Sequence, residues 1–168
     1  CEQNFRARRW LEPMGYELEG LTLGIVGLGN SGRRVACLGA ALGMDVIAVN
    51  RSPIDQETVE QLGLARFETF DQLDELIQES DFLSLHLTLT PETRKIIDAR
   101  RIGLMKTTAR LINTARGGLV DEPALYDALI SGKIGGAGLD VFDSEPADPT
   151  HPVFALSNVV ATPHIGAF

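Results

Sequence analysis

Short runs of apolar, β-branched residues alternate with helical patterns along this chain, at intervals of about 20 to 25 residues. Strands are predicted over residues 22–27, 45–50, 65–67, 81–87, 109–114, 135–141 and 158–162, and helices over 31–42, 56–62, 70–79, 98–104 and 121–131. Most of the strand segments are apolar throughout rather than alternating, as expected of strands covered on both faces. Strand–helix alternation of this kind implies a parallel sheet with helices on both faces, an α/β doubly wound fold. The last predicted helix carries its own boundary signals. Asp121 is placed to cap it, Pro123 suits its first turn, and Gly132 suits its end.

The chain has 168 residues, a length that suits one domain, and such a domain typically buries roughly 70% of its unfolded surface. At 44% hydrophobic and 23% charged residues, its composition is that of a globular protein and not of a disordered one. The longest apolar runs, such as 23–28 and 46–49, are too short to span a membrane. A net charge of −8 with no basic block argues against nucleic acid as a partner. Cys1 and Cys37 are too few for a disulfide framework or a metal knot. No basic segment followed by an apolar one opens the chain, so a cytoplasmic protein is expected. The start at Cys1 and the stop at Phe168 carry no boundary signals, which suggests a piece of something longer.

Gly27-Leu28-Gly29-Asn30-Ser31-Gly32 is a G-x-G-x-x-G segment that follows an apolar strand and opens a helix. That context gives the motif its meaning. Gly27 permits a tight turn, Gly29 lets a pyrophosphate approach the backbone, and Gly32 lets helix and strand pack closely. The free N–H groups of the helix start then face the phosphates. The alternative is an ordinary strand-to-helix turn, since glycine-rich turns are common. From the strand and helix on either side, a Rossmann-type dinucleotide site is expected. An acidic residue is usual at the end of the second strand, where it holds the ribose of NAD. Here Asn50, Arg51 and Ser52 stand instead. A neutral amide would not repel a 2′-phosphate, and Arg51 and Ser52 can donate to one, which favours NADP(H) over NAD. A solvated Arg51, with Asn50 still on the ribose, is the competing reading.

Ligands of open α/β sheets collect beyond the carboxyl ends of the strands. An arginine, a glutamate and a histidine each fall just past a different predicted strand: Arg116 beside Gly117 and Gly118, Glu145 before Pro146, and His164 after Pro163. A carboxylate beside an imidazole orients it and favours its charged form, which makes a proton-transfer device. A guanidinium can bind a carboxylate through two parallel hydrogen bonds. Taken singly, each has a plainer reading as a loop or surface residue; the case rests on their coincidence beside a nucleotide loop. His86 also ends a strand and is assigned no chemistry.

These segments, with His86-Leu87-Thr88-Leu89-Thr90-Pro91-Glu92-Thr93, Ile112 to Asp121, Gly138 to Phe142 and Thr162 to Ala167, closely resemble the NAD(P)-binding domain of the D-isomer-specific 2-hydroxyacid dehydrogenases. That group includes phosphoglycerate dehydrogenase and the glyoxylate/hydroxypyruvate reductases. The resemblance implies that Arg116 binds and polarises a 2-oxo acid, that His164 is the proton donor or acceptor, and that Glu145 is its partner. It places Leu87, Thr93, Thr114, Ala115, Asp140, Gly166 and Ala167 in the cofactor site beside Asn30, Ser31 and the glycines. It also implies a homodimer, to which residues 10–18 contribute.

Three departures stand out. Asn50 replaces the usual aspartate, and Leu87-Thr88-Leu89 lacks the family's proline. The smaller substrate domain is expected to be missing on both sides, so that residues 1–168 form a dinucleotide-binding domain with half an active site. Two functions remain open at this stage. One is an NAD(P)-dependent enzyme acting on a small 2-hydroxy acid. The other is a nucleotide-sensing binding protein like the related C-terminal-binding co-repressors, which keep the same three polar residues. Formate dehydrogenase is also a relative but differs at the acid partner, with Gln where this chain has Glu145.

Overall fold

The computed structural model describes residues 6–8, 15 and 17–166. Seven parallel strands form one sheet: β1 (Thr22–Val26), β2 (Asp45–Asn50), β3 (Arg66–Thr69), β4 (Phe82–Leu85), β5 (Arg110–Asn113), β6 (Gly136–Leu139) and β7 (Val159–Ala161). Their spatial order is β3-β2-β1-β4-β5-β6-β7, so the winding reverses between β1 and β4. The connecting helices are α1 (Asn30–Ala41), α2 (Gln56–Gln61), α3 (Leu73–Glu79), α4 (Ala99–Leu104) and α5 (Glu122–Ile130). The expected α/β class and its parallel sheet are therefore present.

The apolar strands divide their side chains between two cores. Leu23 and Ile25 of β1 join Val46 and Ala48 of β2 under α1, with Ala36, Leu62 and Leu64. The next residues along, Val26, Ile47 and Val49, join Leu73, Leu76 and Ile77 on the opposite face. Alternate residues of one strand point to opposite faces, so a continuous apolar run feeds both cores. The edge strands β3 and β7 are only partly buried.

Small residues set how closely the helices approach. A Cβ on Gly39 of α1 would lie 2.6 Å from Leu23 Cδ2, and one on Gly24 of β1 would lie 2.0 Å from Ser80 Oγ on the other side. The glycine loop is packed as closely. Gly27 has a φ of +100° and donates its N–H to Val49 O at 2.8 Å, which turns the chain out of β1. A Cβ on Gly32 would sit 2.1 Å from Gly27 O, whereas one on Gly29 would meet nothing within 4 Å.

Some boundaries differ from the sequence reading. β4 stops at Leu85, leaving His86 and Leu87 past its end. The residues before α3, Phe70–Gln72, form a 3-10 turn. Asp121 occupies the N-cap position of α5 but makes no side-chain cap bond. Its carboxylate pairs instead with Lys95 Nζ at 3.2 Å, because the bridge between Ile97 and Val120 carries that lysine alongside. Gly132 ends the helix with a φ of +69°, as expected.

The two loop glycines should respond differently to the same change. Gly32→Ala forces α1 away from Gly27 O and should cost about 1–3 kcal/mol in chemical denaturation, whereas Gly29→Ala should leave stability within about 0.5 kcal/mol.

Candidate active site

The loops after β1, β4, β5, β6 and β7 converge over the point where the strand order reverses. They enclose a cleft of about 370 Å³ lined by Ser31, His86, Leu87, Thr88, Thr114, Ala115, Arg116, Asp140, His164 and Gly166. The arginine and the histidine picked out in the sequence thus share one cleft with the first turn of α1.

Asn113, the last residue of β5, is buried and shapes the loop after the strand. Its Oδ1 accepts from Ala115 N at 3.1 Å and its Nδ2 donates to Arg116 O at 2.9 Å. The loop backbone is thereby held by one amide, and Thr114 and Arg116 stay at least partly exposed. Directly after Arg116, a Cβ on Gly117 would fall 1.9 Å from the Phe142 carbonyl carbon. The loops after β5 and β6 therefore touch backbone to backbone, which brings Arg116 towards Glu145.

Glu145 accepts from Phe142 N through Oε1 at 3.0 Å, and its Oε2 lies 2.6 Å from His164 Nδ1. The Phe142 N–H, the bond to His164 and the charges of His164 and Arg116 together hold the Glu145 carboxyl below its usual pKa. An ionised carboxylate on Nδ1 leaves Nε2 as the nitrogen able to give or take a proton.

His164 has a φ of +54°, a left-handed conformation that costs a side chain free energy unless its surroundings enforce it. Asp140 provides the enforcement. It is 4% exposed, its carbonyl accepts from His164 N at 2.8 Å, and its carboxylate accepts from Thr162 Oγ1 at 2.5 Å, Ile165 N at 3.0 Å and Gly166 N at 2.8 Å. These donors, led by the Thr162 hydroxyl, push the Asp140 pKa below its ordinary value of 3.8. Asp140 lines the cleft, yet every hydrogen bond of its carboxylate goes to the loop that carries His164.

The other expected residues fall into two groups. Asn30 and Ser31 open α1 with exposed side chains, and Leu87 packs its Cδ2 against Gly27. Asn50 reaches across to the glycine loop: its Oδ1 accepts from Leu28 N at 3.2 Å, and its Nδ2 donates to Ser52 O at 3.0 Å. Arg51 and Ser52 are exposed beside it. Thr93 is buried within its own loop, its Oγ1 donating to Thr88 O and accepting from Thr90 N, each at 2.8 Å. Ala167 lies outside the described residues, as do most of residues 10–18.

Sequence reasoning passed over His86, which lines the cleft. Its Nδ1 is 3.1 Å from Ser31 Oγ and its Nε2 is 2.9 Å from Ser84 Oγ. Burial pushes its pKa below the usual imidazole value. The available signal was a serine inside an otherwise apolar strand, two residues before a histidine.

The family profile described as D-isomer specific 2-hydroxyacid dehydrogenase, NAD binding domain, matches residues 1–166. The chain belongs to this family. A glyoxylate reductase from Aeropyrum pernix is 47% identical over 163 residues, which cover 95% of this chain and 47% of that protein. A D-3-phosphoglycerate dehydrogenase from Methanocaldococcus jannaschii is 47% identical over 153 residues, covering 91% of this chain and 28% of the relative. In structure, a D-isomer specific 2-hydroxyacid dehydrogenase from Xanthobacter autotrophicus Py2, solved with NADPH and MES, superposes with a TM-score of 0.86 at 36% identity. That alignment covers 98% of this chain and 50% of the other. This 2-hydroxyacid dehydrogenase domain thus spans half or less of these relatives. Among its described residues no helix is long and apolar enough to cross a membrane.

Asp140→Ala should lower stability by about 2 kcal/mol rather than more, because water can reach the donors it leaves behind. The sign of the pH effect comes from the depressed pKa. The Asp140 contribution is complete above its unfolded value of 3.8 and is lost as pH falls through the lower folded value. Urea unfolding from about pH 5 to about pH 3 should therefore decline less steeply in Asp140→Asn than in the parent.

Proposed function

We propose that this chain is the cofactor-binding half of an NAD(P)-dependent oxidoreductase that interconverts a small 2-oxo acid and its D-2-hydroxy acid. The observation that carries this reading is the His164–Glu145 pair, 2.6 Å apart, whose imidazole lines the cleft that also holds Arg116 and the start of the glycine-loop helix. An imidazole oriented by an ionised carboxylate beside a guanidinium supports proton transfer to a bound acid, and turnover separates this reading from a nucleotide-sensing protein that keeps the same three residues.

The residues present fit a dinucleotide. Gly29 leaves open space in front of the helix start, and the first N–H groups of α1 point out of the sheet, as a pyrophosphate requires. Asn30, Ser31 and Gly32 would hold the pyrophosphate, and Thr114, Ala115, Leu87 and Gly166 would border the nicotinamide. At the adenosine end no carboxylate closes β2, and the Asn50 amide oxygen is already engaged by Leu28 N. An exposed Arg51 beside Ser52 is suited to a 2′-phosphate, so NADP(H) is the proposed cofactor in preference to NAD. The NADPH bound to the Xanthobacter relative is consistent with this preference.

When bound, the nicotinamide supplies or accepts the hydride at C2 of the acid. The protein's own residues do the rest. Arg116 aligns the substrate carboxylate through paired hydrogen bonds and polarises the adjacent carbonyl. In the reductive direction, protonated His164 gives its Nε2 proton to the carbonyl oxygen as it becomes a hydroxyl. Glu145 stabilises the imidazolium beforehand and holds the ring in the tautomer that leaves Nε2 facing the substrate. The other wall of the site is proposed to come from a separate substrate domain, and the working unit to be a cytoplasmic homodimer.

Loss of NADPH or NADH absorbance against a panel of 2-oxo acids, using the intact gene product, tests the reading. His164→Ala should lower kcat by about 10²- to 10⁴-fold with cofactor affinity nearly intact. Arg51→Ala should weaken NADPH by about tenfold and leave NADH unchanged. Tight cofactor binding with no turnover of any acid would shift the function to nucleotide sensing.

A further inference from the structure

The Ser84–His86–Ser31 chain runs from the interior of the sheet to the open cleft, and its two ends differ in their access to water. Ser84 is 5% exposed on β4, and its hydroxyl has no hydrogen-bond partner among the described residues other than His86 Nε2. Ser31 is exposed at the start of α1, and its hydroxyl bonds only His86 Nδ1 among the described residues. His86 itself is fixed in place, its N–H donating to Val26 O at 2.8 Å and its Cβ lying against Gly32.

A neutral imidazole carries one N–H and one bare nitrogen, so one serine must donate to the ring and the other must accept from it. If Nε2 carried the proton, the buried Ser84 hydrogen would be left without an acceptor, a penalty that buried polar groups avoid. If Nδ1 carries it, Ser84 donates to Nε2, Nδ1–H donates to Ser31 Oγ, and every buried group is satisfied. The Ser31 hydrogen is then free to turn into the cleft. We infer that Ser84, acting through the Nδ1–H tautomer of His86, makes Ser31 a hydrogen-bond donor aimed at an acceptor oxygen of the bound dinucleotide. His86 is thus a positioning residue that does not itself touch the reacting atoms. Burial, which disfavours the imidazolium, keeps the ring in the neutral form this relay needs. The charged or titratable groups sharing its cleft are Arg116, Asp140 and His164.

The inference rests on the dinucleotide reading of the glycine loop, but its first test does not. Nitrogen-15 NMR of histidine-labelled intact protein, without cofactor, should show His86 protonated at Nδ1 and bare at Nε2. An Nε2–H signature would overturn the inference whether or not cofactor binds. The second test is affinity for NADPH and for ADP-ribose, which keeps the pyrophosphate and lacks the nicotinamide. Ser31→Ala and His86→Leu should each weaken NADPH about tenfold, with no further loss in the double variant. His86→Asn can place an amide N–H near the Nδ1 position and should restore most of the affinity, while His86→Gln, which reaches only towards Ser84, should not. A merely structural role would leave Asn and Gln alike. Equal losses for both ligands put the acceptor on the pyrophosphate, and a loss for NADPH alone puts it on the nicotinamide carboxamide. Affinities unchanged in Ser31→Ala and His86→Leu would overturn the inference. A parent protein that bound neither ligand would instead refute the cofactor reading.

Discussion

At Gly32 the first helix comes so close to the first strand that a single methyl group would collide with the Gly27 carbonyl at 2.1 Å. That approach fixes where α1 begins and which way its free N–H groups point. It also puts Ser31 beside His86, because β4 lies next to β1 and ends level with it. The reversal of strand order at the same place leaves room above the sheet, since connections run to opposite faces on either side. Cleft, helix terminus and buried histidine all depend on one backbone contact that only glycine allows.

A second set of interactions fixes the far wall. Directly after β6, the Asp140 carboxylate gathers three donors from the segment after β7. It thereby holds His164 in a conformation that side chains seldom adopt. Glu145 accepts the Phe142 N–H through one oxygen and meets His164 with the other. The two carboxylates divide the work: Asp140 sets the backbone that carries the imidazole, and Glu145 sets the orientation of its ring. Both stay ionised because backbone or hydroxyl donors reach them, and an ionised Glu145 is what the proposed proton transfer through His164 requires.

Much of this was legible in the chain. Apolar strands with helices between them specify a parallel sheet covered on both faces, and the glycine spacing specifies the turn at its centre. Arg116, Glu145 and His164 were recognisable because each lies just past a strand. Their distances were not legible, since the sequence does not state that β6 lies beside β7 or that Gly117 presses on Phe142. His86 was passed over for the same reason: Ser31 is 55 residues away, and only the pairing of β1 with β4 joins them. Asp121 shows the opposite case. Its local signal for a cap was sound, but Lys95 takes its carboxylate through a contact made by distant chain. Asp140, placed in the cofactor site by resemblance, lines the cleft, and the bonds of its carboxylate to the His164 loop could be found only from the structure.

The proposed chemistry requires His164, Glu145 and Arg116 to face a nicotinamide and a 2-oxo acid across one cleft. A crystal structure of the intact protein with NADPH and oxamate, an unreactive analogue of such an acid, tests it most directly. The pyrophosphate should lie on the first turn of α1 and the oxamate carboxylate on Arg116, with His164 Nε2 within hydrogen-bond distance of the analogue's carbonyl oxygen. Cofactor bound away from the glycine loop, or oxamate seated with His164 out of reach, would contradict it.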